Sequence, residues 1–235
     1  MSGTLYGLGL GPGDPELVTI KAAKIMAGVP VISYVTPLRN GKAQPSFARS
    51  IAEPHLKDVI VEIPIPIAML DDPGPGQLAY DVTATDIAAH LDAGRDVAFL
   101  CEGDPLLFGS FMYVLERLND GRNIITVPGV SSLSASAAAA NLPLVSRHQS
   151  LALIPGTLSE DDIRARLEHA SAAAIFKVGR NITKIKKLLL DAGRMDAAVY
   201  IERASLPEQR VMSLAEAPDD APYFSIILLT ETDPQ

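Results

Sequence analysis

The chain has 235 residues, 48% hydrophobic and 20% charged, enough for one large or two small globular domains and incompatible with disorder by composition. A formal net charge of −8 argues against a phosphodiester partner, and 5% aromatic content without Trp argues against base stacking. The single cysteine, Cys101, can neither close an internal disulfide nor build a zinc site alone. With no stretch near the ~20 apolar residues of a membrane span, a soluble cytoplasmic chain without a resident metal is expected.

Residues 4–10 read as a strand running into Gly11-Pro12-Gly13-Asp14-Pro15, where Asp14 is a natural N-cap and Pro15 a natural first helical residue. Leu17, Ile20, Lys21 and Lys24 then follow helical spacing. Residues 29–35 suit a buried parallel strand, 36–47 read as a basic loop, 46–55 as a helix and 59–63 as another strand. The proline-punctuated stretch 63–77 reads as an ordered surface loop, followed by a helix over 78–93 that Gly94 stops. Next come a strand at 96–100, a turn Glu102-Gly103-Asp104-Pro105, a helix to Leu118, a strand at 123–127 and an alanine-rich helix over 131–141. In the second half, strands are expected at 150–154, 173–178, 197–202 and 223–230, with helices at 159–169 and 181–192. Strand–helix alternation at this spacing predicts a parallel sheet with helices on both faces. The boundary falls between 128 and 146, and the predicted domains are residues 1–130 and 131–235.

Three glycine-bearing turns that follow strands carry the chemical signal. In the first, Gly7-Leu8-Gly9-Leu10-Gly11-Pro12-Gly13-Asp14, the third glycine of a GxGxxG falls on Pro12 or Asp14, so the dinucleotide fingerprint fails. Pro12 also removes an N–H that an anion cradle would need. The turns at 102–105 and 128–132 would lie at the same carboxyl edge of the same sheet, the edge that carries ligands in open α/β folds. Together they form a shelf for an uncharged or cationic small molecule, the plain alternative being that they only reverse the chain and cap helices.

GLGPGDPELVTIKAAKIM, DVAFLCEGDPLLFGSFMYVLERL and ITVPGVSSLSASAAAANLPL occur in this order, followed by KVGRN at 177–181 and YIERASLPEQRV at 200–211. In this register they resemble the tetrapyrrole (corrin/porphyrin) methyltransferase family over essentially the whole chain. The resemblance implies two α/β domains with a cofactor cleft between them, the N-terminal sheet mostly parallel and the C-terminal one mixed, commonly assembled as a homodimer. It implies S-adenosylmethionine as cofactor, and a tetrapyrrole substrate methylated within cobalamin biosynthesis. EGDPLLFGSFMY, KVGRN and PYFSIILL are most similar to members acting on C-20 of precorrin-2, the alternatives being its cobalt form, another corrin carbon or a diphthamide precursor. A non-enzymatic nucleotide-binding regulator using the same shelf is a reading from a different class.

Carried over by motif, Gly11, Pro12, Glu102, Gly103, Asp104 and Leu107 should line the cofactor pocket. Ser131 and Ser132 stand where many relatives have a Thr-Ala-like pair, and Val178 and Ala204 fall at the family's contact points in the second half. Asp104 is the candidate catalytic acid, either accepting from the cofactor or removing a substrate proton, unless it caps a helix starting at Pro105. Arg39 and Arg180 are the candidate anchors for substrate carboxylates, among cations that include Lys42, Arg49, Lys177 and Arg210. Phe108, Phe111 and Tyr113 follow helical spacing and are expected in the core, as is Cys101.

Overall fold

The computed structural model describes residues 2–57, 60–68 and 74–230. They form two compact units, Met1–Ser131 and Ser132–Gln235.

In the first unit, β1 (Leu5–Gly9) lies between β5 (Val97–Cys101) and β6 (Ile124–Val127), parallel to both. β2 (Val31–Arg39) runs parallel to β5, and β4 (Val61–Ala68) runs parallel to β2 at the outer edge. Only the two-residue β3 (Lys42–Ala43) is antiparallel, so the mostly parallel sheet is as the sequence predicts. Alternation along the strands divides the core in two. Leu5, Val97, Phe99 and Cys101 pack under α3 (Gly74–Asp92) and α4 (Phe111–Leu118). Leu8, Leu10, Ala98 and Leu100 pack under α1 (Ile20–Met26) and α2 (Phe47–Ala52). Burying each such Leu or Phe contributes roughly 1.5–3 kcal/mol.

Several predicted elements are corrected. Pro15–Leu17 is a single 3-10 turn whose Asp14 cap accepts from the Glu16 N–H at 2.8 Å. Val18 is extended and α1 restarts at Ile20 behind a second cap, Thr19. The predicted loop at 36–47 is largely a hairpin: β2 continues to Arg39, Asn40 and Gly41 both take the left-handed conformation (φ 52° and 72°), and Lys42 pairs back to Arg39. Two consecutive positive φ values are the signature of a tight hairpin turn, which Asn-Gly favours. The predicted loop from residue 63 is β4 as far as Ala68. On an edge strand alternate residues turn their N–H outward, so Pro64 and Pro66 interrupt no ladder bond. The rest of that loop, residues 69–73, lies outside the described residues, as does Val59 of the predicted strand, and α3 begins at Gly74. The helix expected from Pro105 starts only at Phe111, because Phe108 is left-handed (φ 56°). Phe111 is buried as expected, whereas Phe108 (42% exposed) and Tyr113 (39%) are not core residues.

The second unit has a mixed sheet in the order β10-β9-β11-β8-β7. β7 (Leu151–Pro155) and β8 (Ala172–Phe176) are parallel, and β11 (Ser225–Thr230) runs antiparallel to both β8 and β9 (Ala198–Glu202). β7, β8 and β9 therefore share one direction and one carboxyl edge. β10 (Arg210–Ser213) pairs antiparallel to β9 where the sequence predicts no strand, since its side chains are mostly exposed and show no apolar alternation. α6 (Glu160–Glu168) and α7 (Ile182–Asp191) cover one face, and the alanine-rich α5 (Ser132–Ala139) packs on the other.

Candidate functional site

The three turns converge, and hydrogen bonds join them. Gly11 and Gly103 form an isolated antiparallel bridge, the Gly103 N–H donating to the Gly11 carbonyl at 2.7 Å and the Gly11 N–H to the Gly103 carbonyl at 3.3 Å. Both glycines are left-handed (φ 81° and 63°), a conformation that side chains disfavour. Gly9 and Gly129 are needed for a different reason. A Cβ on Gly9 would lie 2.4 Å from the Gly129 nitrogen, and one on Gly129 would lie 2.1 Å from the Gly103 carbonyl oxygen. The first, second and third turns thus touch backbone to backbone at the carboxyl ends of β1, β5 and β6.

Asp104 holds this arrangement in place. Its Oδ1 accepts from the Leu106 N–H at 2.9 Å and its Oδ2 from the Gly129 N–H at 3.1 Å. One carboxylate therefore shapes the second turn and ties it to the third. Leu107 is half-buried on that same turn, its N–H donating to the Asp104 carbonyl at 3.4 Å, and Pro12 is half-buried on the first.

Glu102 directly follows β5 at the same edge, where burial raises its carboxyl above the ordinary range, and backbone N–H groups of Glu102 itself and of Ala48 offset part of that rise. Among the described residues it has no salt-bridge partner within 4.0 Å. The turn segments 9–15, 102–105 and 128–132 contain no lysine or arginine. An edge offering carboxylates and carbonyls without a cation suits a cationic or neutral ligand and not a phosphate. Cys101, fully buried below it, has its thiol pushed up to about 12 by desolvation, which removes it as a nucleophile.

Ser131 closes the first unit and Ser132 opens α5. Val178 is fully buried just after β8, and Ala204 is buried just after β9, so both lie at the carboxyl edge of the second sheet. Each neighbours strained backbone: Lys177 (φ 55°) precedes Val178, and Arg203 (φ 51°) and Ser205 (φ 72°) flank Ala204. Non-glycine residues in this region cost about 1–3 kcal/mol each and gather where function constrains the chain. The turn at Ala204 follows a strand end that is fixed by a side-chain network. Tyr200 donates to Glu202 Oε2 at 2.7 Å, and Arg210, 3.1 Å from Glu202 Oε1, joins β10 to it.

Of the two substrate candidates, Arg39 stands exposed at the hairpin tip and Arg180 exposed in a 3-10 turn, Gly179–Asn181, after β8. Arg49 borders a groove of about 590 Å³ between α2 and the β2–β4 face, but it is already paired with Glu53 and with Glu62. Among the described residues no three His, Cys, Asp or Glu side chains gather as a metal site, and no helix is long and apolar enough to cross a membrane.

The family model for tetrapyrrole (corrin/porphyrin) methylases matches residues 4–218. A Sinorhizobium sp protein named precorrin-2 C(20)-methyltransferase is 40% identical over 237 residues, covering 97% of this chain and 95% of that protein. The Salmonella typhimurium cobalt-precorrin-2 C(20)-methyltransferase is 34% identical, with 98% of each chain covered. Among solved structures, uroporphyrin-III C-methyl transferase from Thermus thermophilus, complexed with S-adenyl homocysteine, superposes with a TM-score of 0.69 at 26% identity, covering 97% of this chain and 98% of that one.

Proposed function

Since the chain belongs to the tetrapyrrole (corrin/porphyrin) methylase family, we propose that it transfers a methyl group from S-adenosylmethionine to C-20 of precorrin-2, forming precorrin-3A in cobalamin biosynthesis. The observation that carries this reading is the near-complete, two-way coverage of the Sinorhizobium relative. The Salmonella relative supports a second reading, in which the substrate already holds cobalt. Incubating the chain with labelled S-adenosylmethionine and either metal-free or cobalt-loaded precorrin-2 tests both. One added methyl group together with S-adenosylhomocysteine is expected, on whichever form is the true substrate, and binding without transfer to either would favour a regulator.

The residues present fit this donor. A sulfonium and an ammonium group match an edge that carries Glu102 and Asp104 on turn segments holding no lysine or arginine, and a folded ligand can lie against the backbone of the turns at Gly11, Pro12 and Gly103. When bound, the donor supplies an electrophilic methyl group. The chain's own task is to align that group with the nucleophilic carbon and keep water away, and alignment alone is worth roughly 7–11 kcal/mol in well-oriented systems. No proton-transfer triad is needed for such a displacement, and Asp104 contributes by holding the second and third turns. Leu107, Ser131, Ser132, Val178 and Ala204 are carried forward as proposed donor contacts on motif alone, and Arg180 as a proposed substrate contact. A cytoplasmic homodimer completes the reading. Leu78 (64% exposed) and Val82 (57%), one turn apart on α3, offer a second copy an apolar stripe, and light scattering tests this.

Glu102 sets a pH dependence. Its carboxyl is raised by burial, so the ligand-free fold binds a proton more tightly than the unfolded chain does. The stability this brings is complete below the ordinary glutamate value of about 4.3 and is lost as pH rises through the folded-state value. Donor affinity should change in the opposite sense, rising with pH over that window as the ionised carboxylate meets a cation. Glu102→Gln is expected to flatten both curves, which thermal melts and donor titrations from pH 4 to 7 would measure.

A further inference from the structure

The β2–β3 hairpin projects beyond the rest of the sheet. β2 pairs with β5 only as far as Tyr34↔Leu100, yet it continues to Arg39, five residues or about 16 Å further in the carboxyl direction. β4 occupies one edge of β2 along its whole length, from Val31↔Val61 to Leu38↔Ala68. A strand has only two edges, so β3 pairs on the edge that β5 uses lower down. The hairpin therefore stands in the column of β5, over the turn Glu102–Gly103. The last β5 pair at Tyr34 and the first β3 pair at Leu38 are four residue steps apart along β2, about 13 Å. The Thr36 hydroxyl, donating to the Gln44 carbonyl, and the Gln44 N–H, donating to the Pro37 carbonyl at 2.8 Å, fix the hairpin's inner end.

The tip carries an unusual pairing. Arg39 and Lys42 are direct cross-strand partners on either side of Asn40-Gly41. Like charges placed opposite each other destabilise a strand pair, and both side chains are exposed in a chain of net charge −8. Among the described residues neither has a salt-bridge partner within 4.0 Å. Arg49, the neighbouring cation of α2, is by contrast taken up by Glu53 and Glu62. The edge below the hairpin is acidic and the hairpin tip is basic.

Resting on the proposed methyl transfer to a tetrapyrrole, we propose that the β2–β3 hairpin is a carboxylate-capturing arm, in which Arg39 and Lys42 together hold the acidic side chains of the macrocycle above the glycine turns. An anion between the two cations removes their repulsion, so the pairing favours binding at the expense of the free hairpin. Division of labour follows from charge: the acidic edge takes the cationic donor and the basic arm takes the anionic acceptor.

The test compares the full chain with Arg39→Gln, Lys42→Gln and the double variant, measuring tetrapyrrole KM, kcat, donor affinity and melting temperature. Loss of each charge-assisted contact is expected to raise the tetrapyrrole KM roughly tenfold, with kcat and donor affinity nearly unchanged. The melting temperature should stay level or rise, which a purely structural role for the pair would not produce. The reverse-charge variant Lys42→Glu, which can pair with Arg39 and so keep the hairpin, should raise KM further. Transfer with an unchanged KM in the double variant overturns the arm while leaving the function standing. No transfer to any tetrapyrrole by the unaltered chain overturns the function, and the arm with it.

Discussion

Gly129→Ala is expected to abolish measurable donor binding and to lower the melting temperature by roughly 2–12 °C, the range set by overpacking of about 1–3 kcal/mol in a chain of this size. The added Cβ would lie 2.1 Å from the Gly103 carbonyl oxygen and 2.8 Å from the Gly9 backbone. All of these atoms are main chain, so no side chain can swing aside, and relief requires the second and third turns to separate. Gly3→Ala is the matched comparison. Its Cβ would meet the Arg95 carbonyl oxygen at 2.2 Å, an equally severe clash at the amino end of β1, away from the turns. Calorimetric melts should show both variants destabilised, while titration with S-adenosylhomocysteine should show donor affinity lost only in Gly129→Ala. Equal donor affinity in the two variants would mean that the joined turns are not the donor site.

Asp104→Asn should weaken donor binding about tenfold while leaving the pH profile of kcat in place. An asparagine has one acceptor oxygen where the aspartate uses two, so in either amide orientation one of the Leu106 and Gly129 N–H groups faces an NH2. The mismatch costs about 1–3 kcal/mol, paid in the shape of the second turn or in its tie to the third. A proton carrier would behave differently, because losing general acid–base catalysis lowers kcat by roughly 10²–10⁴ and removes a limb of its pH profile. If Asp104→Asn shows that loss with donor affinity intact, Asp104 carries a proton and the bracing assignment fails.

Legibility in the sequence depended on how local the causes were. Gly11 and Gly103 can be singled out because each follows a strand and opens a turn, and the cap residue Asp14 because it precedes Pro15 at a helical start. The hairpin at Asn40-Gly41 looks like a loop in the sequence because Pro37, Arg39 and Lys42 hide the alternation that marks a strand, and only pairing with β4 and β3 makes residues 35–39 extended. β10 escaped for the same reason, its strand character coming from β9 and not from its own composition. Pro64 and Pro66 argued against a strand, which holds for a central strand but not for an edge one. The Tyr200–Glu202–Arg210 network joins residues from two strands, and no spacing announces it.

Local chemistry alone determined the α/β class, a mostly parallel sheet in the first half and the three glycine turns, and it pointed to an edge for an uncharged or cationic ligand, because strand period, caps and turn residues act over a few neighbours. Tertiary structure alone decided that the turns touch through Gly9, Gly103 and Gly129, that Asp104 spends both oxygens joining two of them, and that Arg39 faces Lys42 over the end of β5. Each of those facts depends on sheet order and register, which place residues distant in sequence within bonding range, and a parallel crossover leaves no trace of its register in the segments it connects.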